Sequence, residues 1–422
     1  MLRNFFITAW RNLFRNKLFS LINISGLAIG LACCMFILIY VLDQFSYDRH
    51  HKGAKDIYRV ATISIDQNRE TPNVVSPAPL AAALKLEFPE VDKTARMFVP
   101  YNDDKSLVQY FNSGQLITSF YENKGYLADA DFFDIFNYHF NEGNPATALQ
   151  EPNTVVISKE IAKKLFNNSP ALDKVIRIKN SNGNIDFRIT GVFTEAGKSH
   201  IDGKFFMSMK SGVFGQYAST WTDFAVNNIF YTYIKLNPGA YKEVLEAKFP
   251  AFVKKYESKN LEAAGFFKKH FLQHVTDIHL RSALDAEFSR NGSITYVYIL
   301  ILIAVFILAI ACINFMNLST ARSSKRAVEV GIRKAVGAGN NSLIKQFISE
   351  SILASFVALL LAVGLLLVLL PLFNHLSGNQ VTYNVITKPL YISAISYASA
   401  ACHCGCRRRL RPSTPAKPLT GT

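Results

Sequence analysis

Cysteine is missing from the long polar stretch between residues 43 and 293, although the 422-residue chain has six cysteines elsewhere. A domain formed by this stretch therefore has to depend on its hydrophobic core, because it has no disulfide bonds to use. Net charge is almost missing there as well, with 30 basic and 29 acidic residues. The formal charge of +15 must come from other parts of the chain.

The positive charge lies in three short segments. Residues 1–17 carry +4, residues 321–345 carry +5 and residues 401–422 carry +5. The first two adjoin long apolar runs, which is where basic residues of membrane proteins accumulate. A nucleic-acid partner is therefore not expected, since no domain-wide basic surface remains to bind one.

A complete nucleotide-binding loop is also absent. The best candidate ends in Gly197-Lys198-Ser199, but five residues separate Gly191 from Gly197 where a P-loop has four. We interpret both glycines as turn residues. No Ser/His/Asp set or carboxylate pair has catalytic spacing, so we predict that the chain is not an enzyme and that any ATPase is a separate subunit.

Metal ligands are sparse. The densest group of candidates is His270, His274, Asp277 and His279, in which His270 and His274 would share one face of a helix. A solvated helix end that leads into a strand explains the same residues. Because cysteine and a glutamate at metalloprotease spacing are both missing here, we predict neither a metal nor a cofactor.

Three apolar runs are present, at residues 18–42, 294–311 and 348–373. Each run, with the apolar residues beside it, is long enough to cross a hydrocarbon core of about 30 Å at about 1.5 Å per residue. The first run is too long for a cleaved signal peptide, and Cys33 follows only an imperfect lipoprotein signal, so we predict a retained anchor. Gly26 and Gly30 form a small-xxx-small pattern suited to close helix packing.

The basic segments determine the predicted orientation. By the positive-inside rule, residues 1–17 and 321–345 face the cytoplasm and residues 43–293 lie outside it. Residues 1–17 are aromatic as well as basic, which is typical of an amphipathic helix at the cytoplasmic surface. The chain is thus predicted to be a multi-pass protein of the cell (inner) membrane with a cytoplasmic N-terminus.

Residues 44–293 mix short β-like runs with helical ones and contain no membrane-length run. Strands are predicted around residues 155–157, 175–178, 187–193 and 230–236, and helices around residues 79–88, 159–166 and 241–256. The predicted fold class is a membrane α-helical protein, with three secure transmembrane helices and a partial fourth, that carries a large extracytoplasmic α+β domain.

Two adjoining segments carry a family resemblance. Residues 314–322 read NFMNLSTAR and residues 326–338 read RAVEVGIRKAVGA. In this order they resemble the connection between the second and third membrane helices of FtsX-like/macrolide-exporter-like (MacB-type) ABC transporter permeases. The motifs ADFFDIF at 130–136 and VISKEIAKKLF at 156–166 resemble the extracytoplasmic domain of the same permeases.

The resemblance covers about residues 1–390 and implies how such a chain would work. Residues 317–345 would be a cytoplasmic coupling segment that docks on a separate ABC ATPase subunit and transmits its closure across the membrane. The ATPase-coupling residues would be Arg326, Glu329, Gly331, Ile332, Arg333 and Lys334. Val328, Ile332 and Ala335 make an apolar stripe in this segment, which a groove on a partner would cover.

The resemblance also implies the domain organisation. Residues 1–43 would be the N-terminal segment and first transmembrane helix, residues 44–293 the extracytoplasmic domain with an insertion lobe at about 120–228, and residues 294–390 the transmembrane permease domain. A second permease copy or half would complete a dimer, and an extracytoplasmic protein could be a further partner.

The implied function is mechanotransmission for export or release of an antimicrobial peptide, macrolide or lipoprotein-like substrate, among which the sequence does not choose. The alternative is a membrane-anchored extracytoplasmic sensor or scaffold that acts without an ATPase.

Residues 391–422 break the pattern. An apolar start is followed by CHCGCRRRLRPSTPAKP at 402–418, and arginines at the centre of a bilayer are too costly for this segment to complete a membrane helix. We interpret the tail as aberrant, produced by a truncation or a shifted reading frame near residues 395–402. The chain would then be the first half of a longer permease.

Overall fold

The three apolar runs form the longest helices of the computed structural model, which describes residues 11, 17–66, 69–100, 105–167, 169–195, 197–287, 289–325, 332, 335–336 and 340–377. The chain divides into two compact units, Met1–Asp43 with Thr295–Thr422 and Gln44–Ile294. In chain order the helices are α1 Lys17–Gln44, α2 Leu80–Glu87, α3 Phe132–Ile135, α4 Lys159–Phe166, α5 Gly212–Thr220, α6 Lys242–Glu246, α7 Phe249–Phe252, α8 Ser258–Ala264, α9 Val275–Arg281, α10 Ile294–Lys325 and α11 Asn340–Ser377.

The first unit contains the long apolar helices α1, α10 and α11. Three stretches are long and apolar enough to cross a membrane, Lys17–Gln44, Ile294–Leu318 and Ser349–His375. A helix satisfies all of its backbone hydrogen bonds internally, which is why an uninterrupted apolar run adopts it in hydrocarbon. The three predicted transmembrane helices are therefore confirmed, whereas the predicted N-terminal amphipathic helix and the partial fourth helix lie outside the described residues.

Helices α1 and α10 pack closely and run antiparallel. A Cβ added to Gly30 would lie 2.7 Å from Ala311 Cβ, and one added to Gly26 would lie 3.5 Å from Asn314 Nδ2. Further along α1, the Cys34 thiol donates to the Ala304 carbonyl at 3.2 Å. The predicted role of Gly26 and Gly30 in close helix packing is confirmed.

The second unit is built on one mixed sheet. Its strands are β1 Ile57–Asp66, β2 Arg69–Asn73, β3 Val91–Phe98, β4 Ser106–Asn112, β5 Gln115–Glu122, β6 Gly125–Ala128, β7 His139–Gly143, β8 Thr154–Ser158, β9 Val175–Asn180, β10 Gly183–Thr194, β11 Phe205–Ser208, β12 Phe230–Leu236 and β13 Phe267–His274. Their order is β13-β1-β12-β3-β6-β11-β8-β10-β9-β4-β5, with β2 beside β1 and β7 beside β10. The pairs β8–β10 and β6–β11 are parallel, and the other described pairs are antiparallel.

The centre of the sheet is buried on both faces. Phe206 and Val156 belong to one apolar cluster, together with the aromatic residues of α3. Their chain neighbours Phe205 and Val155 belong to another, on the opposite face. Strands covered on both sides read as continuous apolar runs and not as alternating ones. An alternating pattern therefore could not have identified β8 or β11.

Most predicted elements of this unit are confirmed, but one predicted helix is divided into shorter ones. The strands predicted around 155–157, 175–178, 187–193 and 230–236 are β8, β9, β10 and β12, and the helices predicted at 79–88 and 159–166 are α2 and α4. The helix predicted over 241–256 is instead α6, α7 and a π-helical turn, Val253–Glu257. Pro250 lies in the first turn of α7, where its missing N–H is tolerated, so the chain restarts a helix there.

The interpretation of Gly191 as a turn residue is wrong. It lies inside β10, where the pairing with β8 is irregular between Ile189 and Gly191. A Cβ at this position would lie 2.5 Å from the ring of Phe140 and 3.3 Å from Val156. The glycine therefore permits close side-chain packing against a strand, and Gly197, the other glycine of the rejected P-loop, lies in a bend.

Candidate functional site

The predicted coupling segment is described only in part. Ile332 is helical, and its carbonyl accepts a hydrogen bond from Val336 N at 3.1 Å. Its side chain is 61% exposed and that of Val336 is 84% exposed. Arg326, Glu329, Gly331, Arg333 and Lys334 lie outside the described residues, so their assignment to ATPase coupling stays a prediction.

The histidines that were weighed as metal ligands do not share a helix face. His270 and His274 lie on strand β13 and not on a helix, because β13 pairs along β1 with His270 opposite Thr62. His270 is buried and contacts Glu257 Oε1 at 2.7 Å and Thr62 Oγ1 at 3.0 Å. Within the described part of the chain, no group of three or more His, Cys, Asp or Glu residues could hold a metal ion.

The second unit contains a buried polar site that the sequence did not indicate. It brings together residues from the end of α1 to β1, two residues from the middle of the unit, and residues from α9 to the segment before α10. We call it the junction and define it by Gln44, Tyr47, Asp48, Arg59, His200, Tyr233, His279 and Glu287.

Asp48 is the centre of the first half of the junction. It is fully buried and has a left-handed backbone, with φ of 58°, which aspartate tolerates better than most residues. Its carboxylate accepts hydrogen bonds from Ser199 Oγ at 2.5 Å and from the His200 backbone N–H at 3.1 Å. His200 Nδ1 lies 2.9 Å and His51 Nε2 lies 3.5 Å from the same carboxylate.

These contacts keep Asp48 ionised. Burial by itself would raise its pKa, but the charge and hydrogen bond of His200, with hydrogen bonds from His51 and Ser199, hold the pKa of Asp48 well below its usual range. His200 Nε2 lies 2.9 Å from the hydroxyl of Tyr233, whose pKa burial raises well above its usual value. The chain segment after α1 is thereby tied to β12.

His279 contacts both Tyr47 and Gln44. Its ring stacks on Tyr47 with 3.5 Å between centroids, and its Nε2 lies 2.8 Å from Gln44 Oε1. Because an amide oxygen only accepts, Nε2 carries the hydrogen in this contact. Burial is the main reason that the pKa of His279 is lowered to about 4, so the ring is neutral at pH 7.

Arg59 forms the second half of the junction. Its guanidinium is fully buried and donates two hydrogen bonds to the Glu287 carboxylate, at 2.7 and 2.5 Å. It donates two more, to Gln273 Oε1 at 2.6 Å and to Ser282 Oγ at 3.1 Å. Such a planar bidentate pair fixes orientation as well as charge, so strand β1 is locked to the segment that leads into α10.

The junction is a set of mostly buried polar contacts between distant parts of the chain. Gln44–His279 and Arg59–Glu287 each join residues that are more than 200 positions apart. Sequence analysis missed it because single polar residues scattered over 44–59 and 279–287 have no spacing signature. The one signal in the sequence was Arg59, a charged residue in the largely apolar run that forms β1.

The second unit is expected to lose stability as the pH falls from about 6.5 to about 4. The pKa values of His279 and His50 are lowered to about 4, in both cases mainly by burial, whereas unfolded histidines titrate at about 6.5. The unfolded chain therefore takes up protons first, and folding stability falls over this interval. The depressed pKa of Asp48 acts in the same direction below about pH 4, where its unfolded form protonates first.

Thermal unfolding measured between pH 7 and pH 4 tests this expectation. His279→Gln should flatten the decline of the melting temperature, and His139→Gln, at an exposed position on β7, serves as the matched control. A melting temperature with the same pH slope in wild type and His279→Gln would contradict the assignment.

Two protein-family models match the chain. The MacB-like periplasmic core domain family matches residues 20–252, and the FtsX-like permease C-terminal family matches residues 301–402. The second match reaches residue 402, so the comparisons do not support the predicted truncation or frameshift near 395–402. Residues 378–422 lie outside the described part of the structure.

Individual relatives share about a quarter of their residues with the chain. It is 24% identical to the uncharacterized ABC transporter permease YvrN of Bacillus subtilis over 380 residues, which cover 84% of each chain. It is also 24% identical to the pyoverdine export ATP-binding/permease protein PvdT of Pseudomonas aeruginosa, over 85% of this chain and 50% of PvdT. The macrolide export ATP-binding/permease protein MacB of Salmonella typhi is 24% identical over 56% of this chain and 33% of MacB.

The match therefore spans half the length of this PvdT and a third of the length of this MacB. Among solved structures, a domain of a permease protein from Porphyromonas gingivalis matches with a TM-score of 0.44 and 22% identity, over 54% of this chain and 91% of that domain. The periplasmic region of MacB from Actinobacillus actinomycetemcomitans matches with a TM-score of 0.32 and 13% identity, over 52% and 90%.

Both matched families are permease modules, and neither is an ATPase. This confirms the prediction of an ABC transporter permease. The membrane helices and the large extracytoplasmic α+β domain of the predicted fold are likewise confirmed. The chain belongs to the MacB/FtsX-like family of ABC transporter permeases, with a MacB-like periplasmic core domain and an FtsX-like permease C-terminal domain.

Proposed function

We propose that the chain is the permease subunit of an ABC transporter whose ATPase is a separate subunit bound to residues 317–345. ATP-driven closure of the ATPase would displace the membrane helices, and the junction would carry that displacement into the extracytoplasmic domain. The observation that carries the proposal is the direct bonding of the end of α1 to α9, through Gln44–His279, and of β1 to the segment before α10, through Arg59–Glu287. Movement of either helix then has to act on both segments together.

The orientation and the partners follow from the same proposal. The N-terminus and residues 317–345 would be cytoplasmic, and the domain would lie outside the cytoplasm, as the distribution of basic residues favours. A second permease copy or half would complete the transporter. The substrate would be a molecule exported or released through movement of the domain, such as a macrolide, an antimicrobial peptide or a lipoprotein-like molecule.

The side chain of Ile332 supports the docking part of the proposal. A helical residue with a large apolar side chain that is 61% exposed, next to the exposed Val336, is suited to a groove on a partner. Placing a carboxylate at Ile332 would bury an unpaired charge in that groove, which is strongly unfavourable. The same logic applies to reversing the charge at Arg333.

Co-purification with the partner ATPase tests the docking prediction. Ile332→Asp is expected to remove the ATPase from affinity-purified permease while the permease still inserts in the membrane. The matched control is Leu86→Asp, because Leu86 is an exposed leucine of the extracytoplasmic unit and should leave binding intact. Retained ATPase binding by both Ile332→Asp and Arg333→Glu would refute the docking assignment.

A further inference from the structure

Strand β5 forms one edge of the large sheet. Within the described residues it pairs only with β4, and no backbone group of β5 in this part of the chain is bonded to a turn or loop outside the sheet. Its outer side therefore presents a row of N–H and C=O groups. Only another extended chain can pair such a row in the regular way of a β-ladder.

This edge lacks the features that usually prevent pairing with another chain. Charged residues, proline or a covering element protect most open edges, but residues 115–121 contain neither a charge nor a proline. Ile117 and Tyr121 are 53% and 69% exposed. The opposite edge of the sheet is different, because β13 contains two consecutive lysines and its Leu272 N–H donates to Glu246 Oε1 of α6 at 2.6 Å.

The side chains of β5 alternate between the two faces of the sheet. Ile117, Ser119 and Tyr121 are exposed, whereas Thr118 and Phe120 between them are half-buried. Phe120 packs against an apolar cluster of the unit. The pairing with β4 is regular from Thr118 onward, and its one irregular step falls at Ile117. This half of the strand therefore has a fixed register and one free edge.

The order of residue types makes the strand complementary to itself. When two copies pair antiparallel about Ser119, that residue faces its own equivalent. Thr118 of each copy then lies opposite Phe120 of the other. One step further out, Ile117 lies opposite Tyr121. Both pairs join a β-branched side chain to an aromatic one, which is a favourable combination across strands, and no like charges meet. A two-fold axis perpendicular to the sheet generates this arrangement.

We propose that β5 joins the extracytoplasmic domains of two copies of the permease, paired antiparallel about Ser119 so that their sheets become continuous. The inference rests on the proposed function, whose second permease copy is the occupant of the edge. A contact between two short strands is small compared with the roughly 1,200–2,000 Å² that stable interfaces bury. The pairing is therefore assigned to chains that one membrane already holds close together.

Disulfide formation by the full chain in membranes tests the register. The background is a variant in which the six native cysteines are replaced by alanine. Ser119→Cys should form a disulfide-linked dimer under oxidation, because the two residues lie opposite each other at the two-fold axis. The matched control is Gln115→Cys, an exposed position on the same strand. Each Gln115 is four residues from the axis, so the two would be eight residues and about 27 Å apart. Ser119→Cys should therefore give about fivefold more dimer than Gln115→Cys, or better.

A mixed pair of variants tests the same register without Ser119→Cys. Ile117→Cys and Tyr121→Cys, on copies with different tags, should cross-link when they are expressed together. Neither should cross-link when expressed alone, because each residue faces the other and lies about 14 Å from its own equivalent. Adding Ser119→Lys to both copies should abolish the mixed cross-link, since two like charges would then be opposed. Adding Gln115→Lys should leave it intact.

The outcomes separate this inference from the proposed function. Equal dimer formation by Ser119→Cys and Gln115→Cys, or none by Ser119→Cys, would overturn the pairing. A disulfide from Ser119→Cys to a different protein would overturn it too, because a strand of that protein would then occupy the edge. A permease that keeps its ATPase but forms no Ser119→Cys dimer contradicts only the pairing of β5, whereas a permease that binds no ATPase contradicts the proposed function itself.

Discussion

Replacing Arg59 by methionine is expected to lower the unfolding free energy of the extracytoplasmic unit by about 3–5 kcal/mol, the usual cost of breaking a buried ion pair from one side. The guanidinium is fully buried, and its partner Glu287 is only 13% exposed. Methionine fills much of the same volume but offers no donor. The Glu287 carboxylate would then remain mostly buried without its counter-charge, and the acceptors on Gln273 and Ser282 would lose this donor.

Arg177→Met is the matched control for this prediction. Arg177 pairs with Asp186 at 2.6 Å, but the two side chains are 39% and 50% exposed, and such surface pairs contribute about 0–1 kcal/mol. Trp221 is one of two tryptophans in the chain, so in a Trp10→Phe background its fluorescence reports urea unfolding of this unit. Equal shifts of the urea midpoint for Arg59→Met and Arg177→Met would contradict the prediction.

A double variant identifies the source of the loss. If the uncompensated carboxylate causes it, then Arg59→Met/Glu287→Leu should recover most of the stability, because an apolar pair of similar volume can replace a buried ion pair. The recovered protein should nevertheless couple poorly to an ATPase. The urea midpoint then reports the stability, and ATP hydrolysis in the presence of the permease reports the coupling. A variant that recovers the first but not the second shows that the pair acts in transmission as well as in folding.

The fold of this protein could be predicted from the sequence where one physical signal dominated. The three membrane helices follow from apolar length alone, and β8 or β12 follow from short runs of β-branched and aromatic residues. The prediction failed for His270 and His274, whose spacing fits a helix as well as a strand. Pairing with β1 decided the outcome, and such a partner, more than 200 residues away, cannot be seen in a local window.

The junction could not be predicted for a similar reason. Asp48 and His279 are each ordinary surface residue types, and their pKa values shift only because folding gives them buried surroundings and, for Asp48, hydrogen-bond partners from distant parts of the chain. Gly191 illustrates the same limit, since the residue that requires a glycine there is Phe140 on a neighbouring strand. Sequence analysis found the segments that carry periodic or compositional patterns, and it missed contacts that only the tertiary structure creates.

Replacing Gly30 by leucine is expected to force α1 and α10 apart and to destabilise the transmembrane unit by about 1–3 kcal/mol, the typical cost of overpacking. Even a single added carbon would lie 2.7 Å from Ala311 Cβ, a distance that real Cβ atoms essentially never show. The close approach that lets Cys34 reach the Ala304 carbonyl should be lost as well. Melting of the detergent-purified protein and the fraction that elutes as a single species are the measurements.

Gly364→Leu on α11 is the matched control, because a Cβ at Gly364 would meet no atom within 4 Å. It should leave both measurements near the wild-type values. A second test moves the methyl group to the other helix. Gly30→Ala alone should destabilise the protein, because two Cβ atoms then meet at this position. Gly30→Ala/Ala311→Gly should restore the stability, because the pair again contains one Cβ. If Gly30→Ala is as stable as wild type, or if the double variant is no better than Gly30→Ala, then close contact at this position does not hold the two helices together.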